Sequence, residues 1–266
     1  MKNKQDILVS IVMSEYNTPI KWLEESIESI LHQTYRNFEF IIINDCSKND
    51  VEEIIKKYND SRIKVINNEK NIGLANSLNK GISIAKGKYI ARMDTDDIAY
   101  SNRLEEEIKF LEENNEYFLV ASKADIFNEK GIYANTKKSG KIEKKDLMRD
   151  VPFVHPSVMY KKEVVLKLGC YPNLTRCEDY ALWCNAYLEG YEGYIINKTL
   201  LKYRVLEESY KKRTLKTRKD AIKVRYNYCK KNNAKIIGII GILKIIIAGI
   251  IPQRIMYRYH RKKFKN

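Results

Sequence analysis

The sequence predicts an α/β fold, a mostly parallel central sheet with helices on both faces. Three observations carry that reading. Through residues 7–93 short apolar runs alternate with stretches of helical spacing in the order β-α-β-α-β-α-β, which builds a parallel sheet through crossover helices. The runs over 7–13 and 38–43 are almost wholly apolar, as strands covered on both faces must be. The strand ends, Ser14-Glu15-Tyr16-Asn17, Asn44-Asp45-Cys46-Ser47 and Asp94-Thr95-Asp96-Asp97, are polar or acidic, and open α/β sheets bind ligands at this carboxyl edge.

The elements follow in order. Residues 7–13 read as a buried strand. Trp22, Ile27, Ile30 and Leu31 lie near helical spacing and give a helix over 20–33. A second strand spans 38–43, a helix 51–58 and a short strand 63–66. Leu74, Leu78, Ile82 and Ala85 mark a helix over 72–86, and 89–93 is the fourth strand. After a helix at about 101–114 the pattern becomes mixed. Residues 118–127 and 131–135 suit a hairpin, and 151–160 is extended, with prolines at 152 and 156. Helices are expected near 161–168, 179–189 and 210–232.

Composition bounds the rest. With 266 residues, 44% of them hydrophobic, the chain can bury a substantial core. Its net charge of +15 is unevenly spread: residues 202–266 hold 20 Lys/Arg against 3 acidic residues, and residues 1–201 hold 29 against 31. A nearly neutral body with a basic tail points to a polyanionic surface as the tail's partner. Residues 236–251 are apolar except for Lys244, and Arg254, Arg258, Arg261, Lys262, Lys263 and Lys265 follow. A full span needs about 20 apolar residues, so this run of 16 suits a re-entrant or interfacial helix on an anionic leaflet. Lipid fits it better than nucleic acid. The five cysteines form no C-x-x-C pair, which argues for reduced thiols in the cytoplasm and against a zinc site. The polar opening, Met1 to Asp6, does not read as a leader. The expected location is therefore the cytoplasm, peripherally on the inner face of the membrane.

Three carboxylates within four residues, Asp94, Asp96 and Asp97, end the fourth strand. Like charges packed so tightly persist best around a cation. At a strand end they suit a divalent metal bound to an anionic substrate.

Further residues carry a resemblance. Val9-Ser10-Ile11-Val12-Met13-Ser14-Glu15-Tyr16-Asn17 resembles the opening strand of family 2 glycosyltransferases. Ser29 to Tyr35, Phe38 to Ser47, Asn71 to Gly81, Ala85-Lys86-Gly87 and Asp94 to Asp97 continue the match, and Glu178-Asp179-Tyr180-Ala181-Leu182-Trp183 resembles the acid pair that opens a later helix. The resemblance covers roughly 7–205. It implies a type A glycosyltransferase fold of the bacterial polysaccharide or lipid-linked oligosaccharide type. It further implies a nucleotide-sugar donor, UDP above all, a divalent Mn2+ or Mg2+ and inversion at the anomeric carbon. The implied acceptor is a glycan or lipid-linked sugar.

On this reading residues 1–205 are the catalytic domain, with a donor half to about 98 and an acceptor half after it, and 206–266 are a helical tail. Asp45 meets the base, and Ser14, Glu15, Asn17 and Asp94 line the nucleotide pocket. Asp94, Asp96 and Asp97 hold the metal. Asp179 is the general base on the acceptor hydroxyl, with Glu178 in support. His155, Trp183 and Arg204 are weaker acceptor or diphosphate candidates. One departure stands out: relatives often place a histidine two residues after a Tyr-Arg pair, and here the segment is Tyr203-Arg204-Val205-Leu206. Leucine can neither ligate metal nor bind phosphate, which implies weaker metal binding or turnover. Two other readings stay open. Nucleotidyl transfer to a sugar phosphate predicts a glycine-rich phosphate loop after the first strand, where Ser14-Glu15-Tyr16-Asn17 stands. A non-catalytic binding protein would use the tail alone.

Overall fold

The computed structural model describes residues 7–206, 218–251 and 255–256. Its opening strands are β1 (Val9–Glu15), β2 (Phe38–Asn44), β3 (Ile63–Asn67) and β4 (Tyr89–Met93), joined by helices α1 (Ile20–Leu31), α2 (Val51–Lys56) and α3 (Leu74–Ile84). They pair in parallel in the order β3-β2-β1-β4. Alternate residues face opposite layers, as the two-residue strand period demands. Val12, Ile41, Ile43 and Ile90 enter one core, and Val9, Ile11, Met13, Phe40, Ile42 and Met93 the other.

The second half continues the same sheet but mixes directions. A short β5 (Ile98–Ala99) and α4 (Arg103–Glu113) lead to β6 (Tyr117–Asn128) and β7 (Gly131–Asn135), the expected hairpin. Next come β8 (Gly140–Lys141), α5 (Lys144–Arg149), β9 (Val158–Lys161), α6 (Lys162–Lys167), α7 (Glu178–Leu188) and β10 (Glu192–Arg204). β9 lies antiparallel between β4 and β6, β10 runs parallel to β6, and β5 pairs antiparallel with β10. The segment read as extended, 151–160, contains a 3-10 turn at His155–Ser157 before β9 begins. β10 carries no strand pattern in the sequence. Its register against β6 slips between Ile196 and Leu201, and such bulges break the alternation by which a strand is read from sequence.

Gly87 sets how tightly the start of β4 meets β1. Its N–H donates to Ser10 Oγ at 2.8 Å, and a Cβ there would sit 2.5 Å from the Ser10 nitrogen. Gly87→Ala is therefore expected to cost about 1–3 kcal/mol, the usual penalty of overpacking. A thermal melt checks it; an unchanged midpoint would mean the backbone yields.

Helices α8 (Lys219–Lys231) and α9 (Lys235–Ile250) follow. Tyr228 and Cys229 of α8 join the core behind α7. On α9, Gly238 approaches Cys229 so closely that a Cβ would meet its Cβ at 2.6 Å. Its remaining outer face is apolar and exposed at Ile236, Ile239, Ile240, Leu243, Ile247 and Ile250. Among the described residues no helix is long and apolar enough to cross a membrane. Residues 210–217 of the expected basic helix, and Arg254, Arg258, Arg261, Lys262, Lys263 and Lys265, lie outside the described residues.

Candidate active site

The ends of β1, β2 and β4 and the first turn of α7 form one acidic region at the carboxyl edge of the sheet. The Asp94–Asp97 turn is fixed from every side. Ser26 Oγ of α1 donates to the Asp94 carbonyl at 2.7 Å. Thr18 Oγ1 and Thr95 Oγ1 share a hydrogen bond of 2.7 Å. Arg204 closes the turn: its N–H donates to Asp97 Oδ1, its Nε to the Asp96 carbonyl and its Nη2 to Glu25 Oε2. The guanidinium lies over the rings of Trp22 and Phe127. Arg204 thus anchors the acid turn to β10, with its charge committed to the framework rather than open to a diphosphate. Leu206 is half-buried just beyond it.

Carboxylate oxygens of Asp94, Asp96 and Asp97 lie within 4.8 Å of one another. Asp97 is fully buried and its Oδ2 has no hydrogen-bond partner. Burial first, then the Asp94 charge, pushes Asp96 up to about 6 and Asp97 well above its usual range. A bound cation relieves both effects. Three hard oxygen ligands, one of them a buried orphan, fit a magnesium- or manganese-type ion.

Asp45 sits at the predicted strand end but is 1% exposed. Its Oδ1 accepts from the Ile72 N–H and Asn68 Nδ2, and its Oδ2 from the Gly73 N–H. It thereby ties the loop before α3 to the end of β2. Glu15 is fully buried, with Oε1 accepting from the Thr18 N–H and Asn49 Nδ2, and fixes the loop after β1 from beneath. Asn17 adopts φ 56°, a left-handed conformation that asparagine tolerates well. Its Oδ1 accepts from the Lys48 N–H and so joins the β1 and β2 loops. Ser14 is half-buried on β1.

On the acceptor side Cys177, at φ 66°, turns the chain into α7. Glu178 is 8% exposed, while Asp179 is the more open of the two. Burial, then the neighbouring Asp179 charge, raises Glu178 to about 7. Burial also raises Asp179, against the pull of the Tyr180 N–H and Arg92. His155 Nε2 shares a 2.9 Å hydrogen bond with Tyr171 Oη. Burial, helped by the Arg92 charge, holds its pKa well below the usual value, so the ring is neutral. Trp183 is fully buried among Phe118, Phe153, Tyr160 and Tyr171. It backs the site from the core and offers no open ring to a sugar.

Two acid groups, one around a metal-type cluster and one at a helix start, are what the resemblance implies. The family model of glycosyl transferase family 2 matches residues 10–169, more than half of the chain. The chain belongs to glycosyltransferase family 2. The uncharacterized glycosyltransferase MJ1057 of Methanocaldococcus jannaschii is 43% identical over 205 residues, covering 74% of this chain and 71% of that protein. The UDP-Gal:alpha-D-GlcNAc-diphosphoundecaprenol beta-1,3-galactosyltransferase of Escherichia coli is 31% identical over 255 residues, 91% of each chain. In fold the chain resembles Staphylococcus aureus TarS 1–349 crystallised in complex with UDP, with a TM-score of 0.69 at 20% identity over 87% of this chain and 70% of that one.

This family 2 glycosyltransferase keeps its acid turn in place with residues that the sequence reading passed over. Ser26, Thr18, Thr95 and Glu25 act through hydrogen bonds between distant segments, which no local spacing reveals. Arg92 was legible: a charge inside an otherwise apolar strand, two residues before Asp94.

Proposed function

We propose that this glycosyltransferase moves a hexose from a UDP-sugar to a lipid-linked or glycan acceptor, with inversion and with a divalent metal, in cell-surface polysaccharide synthesis. The observation that carries the reading is the Asp94/Asp96/Asp97 cluster, with Asp94 within electrostatic reach of Glu178 and Asp179 on α7. UDP and a diphosphoundecaprenol-linked sugar, named for the S. aureus and E. coli proteins, support the substrate classes.

Asp94, Asp96 and Asp97 would hold the metal, which when bound supplies positive charge to the donor diphosphate. Asp179 takes the proton of the acceptor hydroxyl as that oxygen bonds to the anomeric carbon. The bond from the anomeric carbon to the phosphate oxygen breaks, and its electron pair leaves with UDP. A single displacement of this kind inverts the centre. Calorimetric titration of UDP with and without Mn2+ tests the reading. Binding that needs the metal is expected, and no binding under either condition would overturn it.

The tail completes the proposal. The exposed isoleucine face of α9, with Lys244 on it, belongs to the segment of 20 basic and 3 acidic residues. Apolar area flanked by cationic charge suits the surface of an anionic bilayer, where a lipid-linked acceptor resides. Ile240→Asp/Ile247→Asp is expected to abolish sedimentation with phosphatidylglycerol vesicles while leaving the melting temperature unchanged. Sedimentation equal to that of the unmodified chain would remove α9 from the contact.

A further inference from the structure

β4 alternates its side chains between the two cores, and Arg92 points to the same side as Ile90. There its charge acts on His155, Tyr160 and Tyr171. The side chain is 2% exposed, and Nη1 lies 2.5 Å from Asp94 Oδ1, on a residue 31% exposed. Nε and Nη1 have no hydrogen bond of normal geometry.

Other buried arginines are used differently. Arg103 donates to the carbonyls of Arg92 and Val158. Arg204 donates to the Asp96 carbonyl, and Arg225 to Tyr180 Oη and the Gly241 carbonyl. Each ties framework together through backbone. Among the described residues the ionic partner of Arg92 is the first carboxylate of the acid turn, and its guanidinium grips no backbone. Nε is buried without a partner, which is costly, so packing alone does not account for an arginine here.

We propose that Arg92 is a positioning residue of the transfer site: it grips Asp94 by one carboxylate oxygen and presents the other, Oδ2, to the donor. The inference rests on the donor reading above. The single contact, Nη1 to Asp94 Oδ1, ties one oxygen of the carboxylate to a buried charge and restricts where that oxygen sits. A carboxylate held that way meets its ligand without first having to be ordered.

The test is calorimetric titration of UDP in the presence of Mn2+ into the wild-type chain, Arg92→Met, Arg92→Lys, Asp94→Asn and the double variant Arg92→Met/Asp94→Asn. Arg92→Met is expected to weaken binding about tenfold, the scale of one charge-assisted contact, with an unchanged melting temperature. Arg92→Lys is expected to fall between Arg92→Met and wild type, because an ammonium keeps the charge without the planar fork. The double variant should bind no more weakly than Asp94→Asn alone, since residues acting through one another are not additive. A purely structural arginine would not show that dependence on Asp94. Wild-type affinity in Arg92→Met, or additive losses in the double variant, would overturn the proposal. So would failure of both Arg92 variants to fold, which would make Arg92 framework. If the wild-type chain binds no UDP, the donor reading falls first and this inference with it. If it binds and the losses are additive, only this inference falls.

Discussion

Asp179→Asn is expected to bind UDP with manganese as the wild type does and to lose transfer by about 10²–10⁴-fold, the usual contribution of a general base. The amide keeps the size of the side chain and its place in the first turn of α7, but it cannot take a proton at neutral pH. The neighbouring acid makes the assignment specific. Glu178 is turned inward and raised to about 7, and two adjacent carboxyls resist ionising together. Burial raises both acids, and Arg92 pulls on each, so what distinguishes Asp179 as the proposed base is its greater exposure at the first turn of α7. Glu178→Gln should accordingly cost far less than Asp179→Asn. Because Asp179 is raised above the ordinary aspartate value, transfer should fall on the acid side of neutrality as the base takes up its proton. The check is a pH series of sugar transfer from a UDP-sugar that the wild-type chain turns over with manganese. Full transfer by Asp179→Asn, or a larger loss in Glu178→Gln, would move the base elsewhere.

The donor half was legible because its information is local. Strands of period two and helices of period 3.6 can be read from a few residues, and β1 through β4 follow that reading closely. The acid turn was legible for the same reason, since clustered charge after an apolar strand is a local signal. What the sequence concealed depends on distant partners. β10 loses its alternation at a bulge, so thirteen residues beside β6 gave no strand signal. Arg204 is one of the weaker acceptor or diphosphate candidates in the sequence, and Asp96, Asp97 and Glu25, from 107 to 179 residues away, decide where it points. Asp45 was placed correctly at a strand end, but its three donors come from a loop 23 to 28 residues on. A carboxylate's chemistry type is written in the sequence; the partners that spend it are written in the fold.

The largest stability effect is expected at Arg103, behind the acid turn. Arg103 and Glu107 are both fully buried and joined by a 3.0 Å contact one helical turn apart in α4. The guanidinium also donates to the carbonyls of Arg92 and Val158, so it pins α4 to the end of β4 and the start of β9. Removing one member of a buried pair leaves the other uncompensated, at a cost of about 3–5 kcal/mol. Arg103→Ala should show that loss in chemical denaturation. The pH dependence identifies the cause. Burial already raises Glu107 to about 7 against the pull of Arg103, and without that cation the carboxyl keeps its proton to still higher pH. The folded variant then holds a proton that the unfolded chain releases near the ordinary glutamate value, so stability declines as pH rises above that value, by about 1.4 kcal/mol per unit at most. Wild type should follow the same decline only as far as about 7. Arg103→Ala/Glu107→Leu, which removes the stranded acid, should abolish the difference and recover much of the stability. If the single variant loses stability without any added pH dependence, the carbonyl contacts to β4 and β9 carry the effect and the ion pair does not.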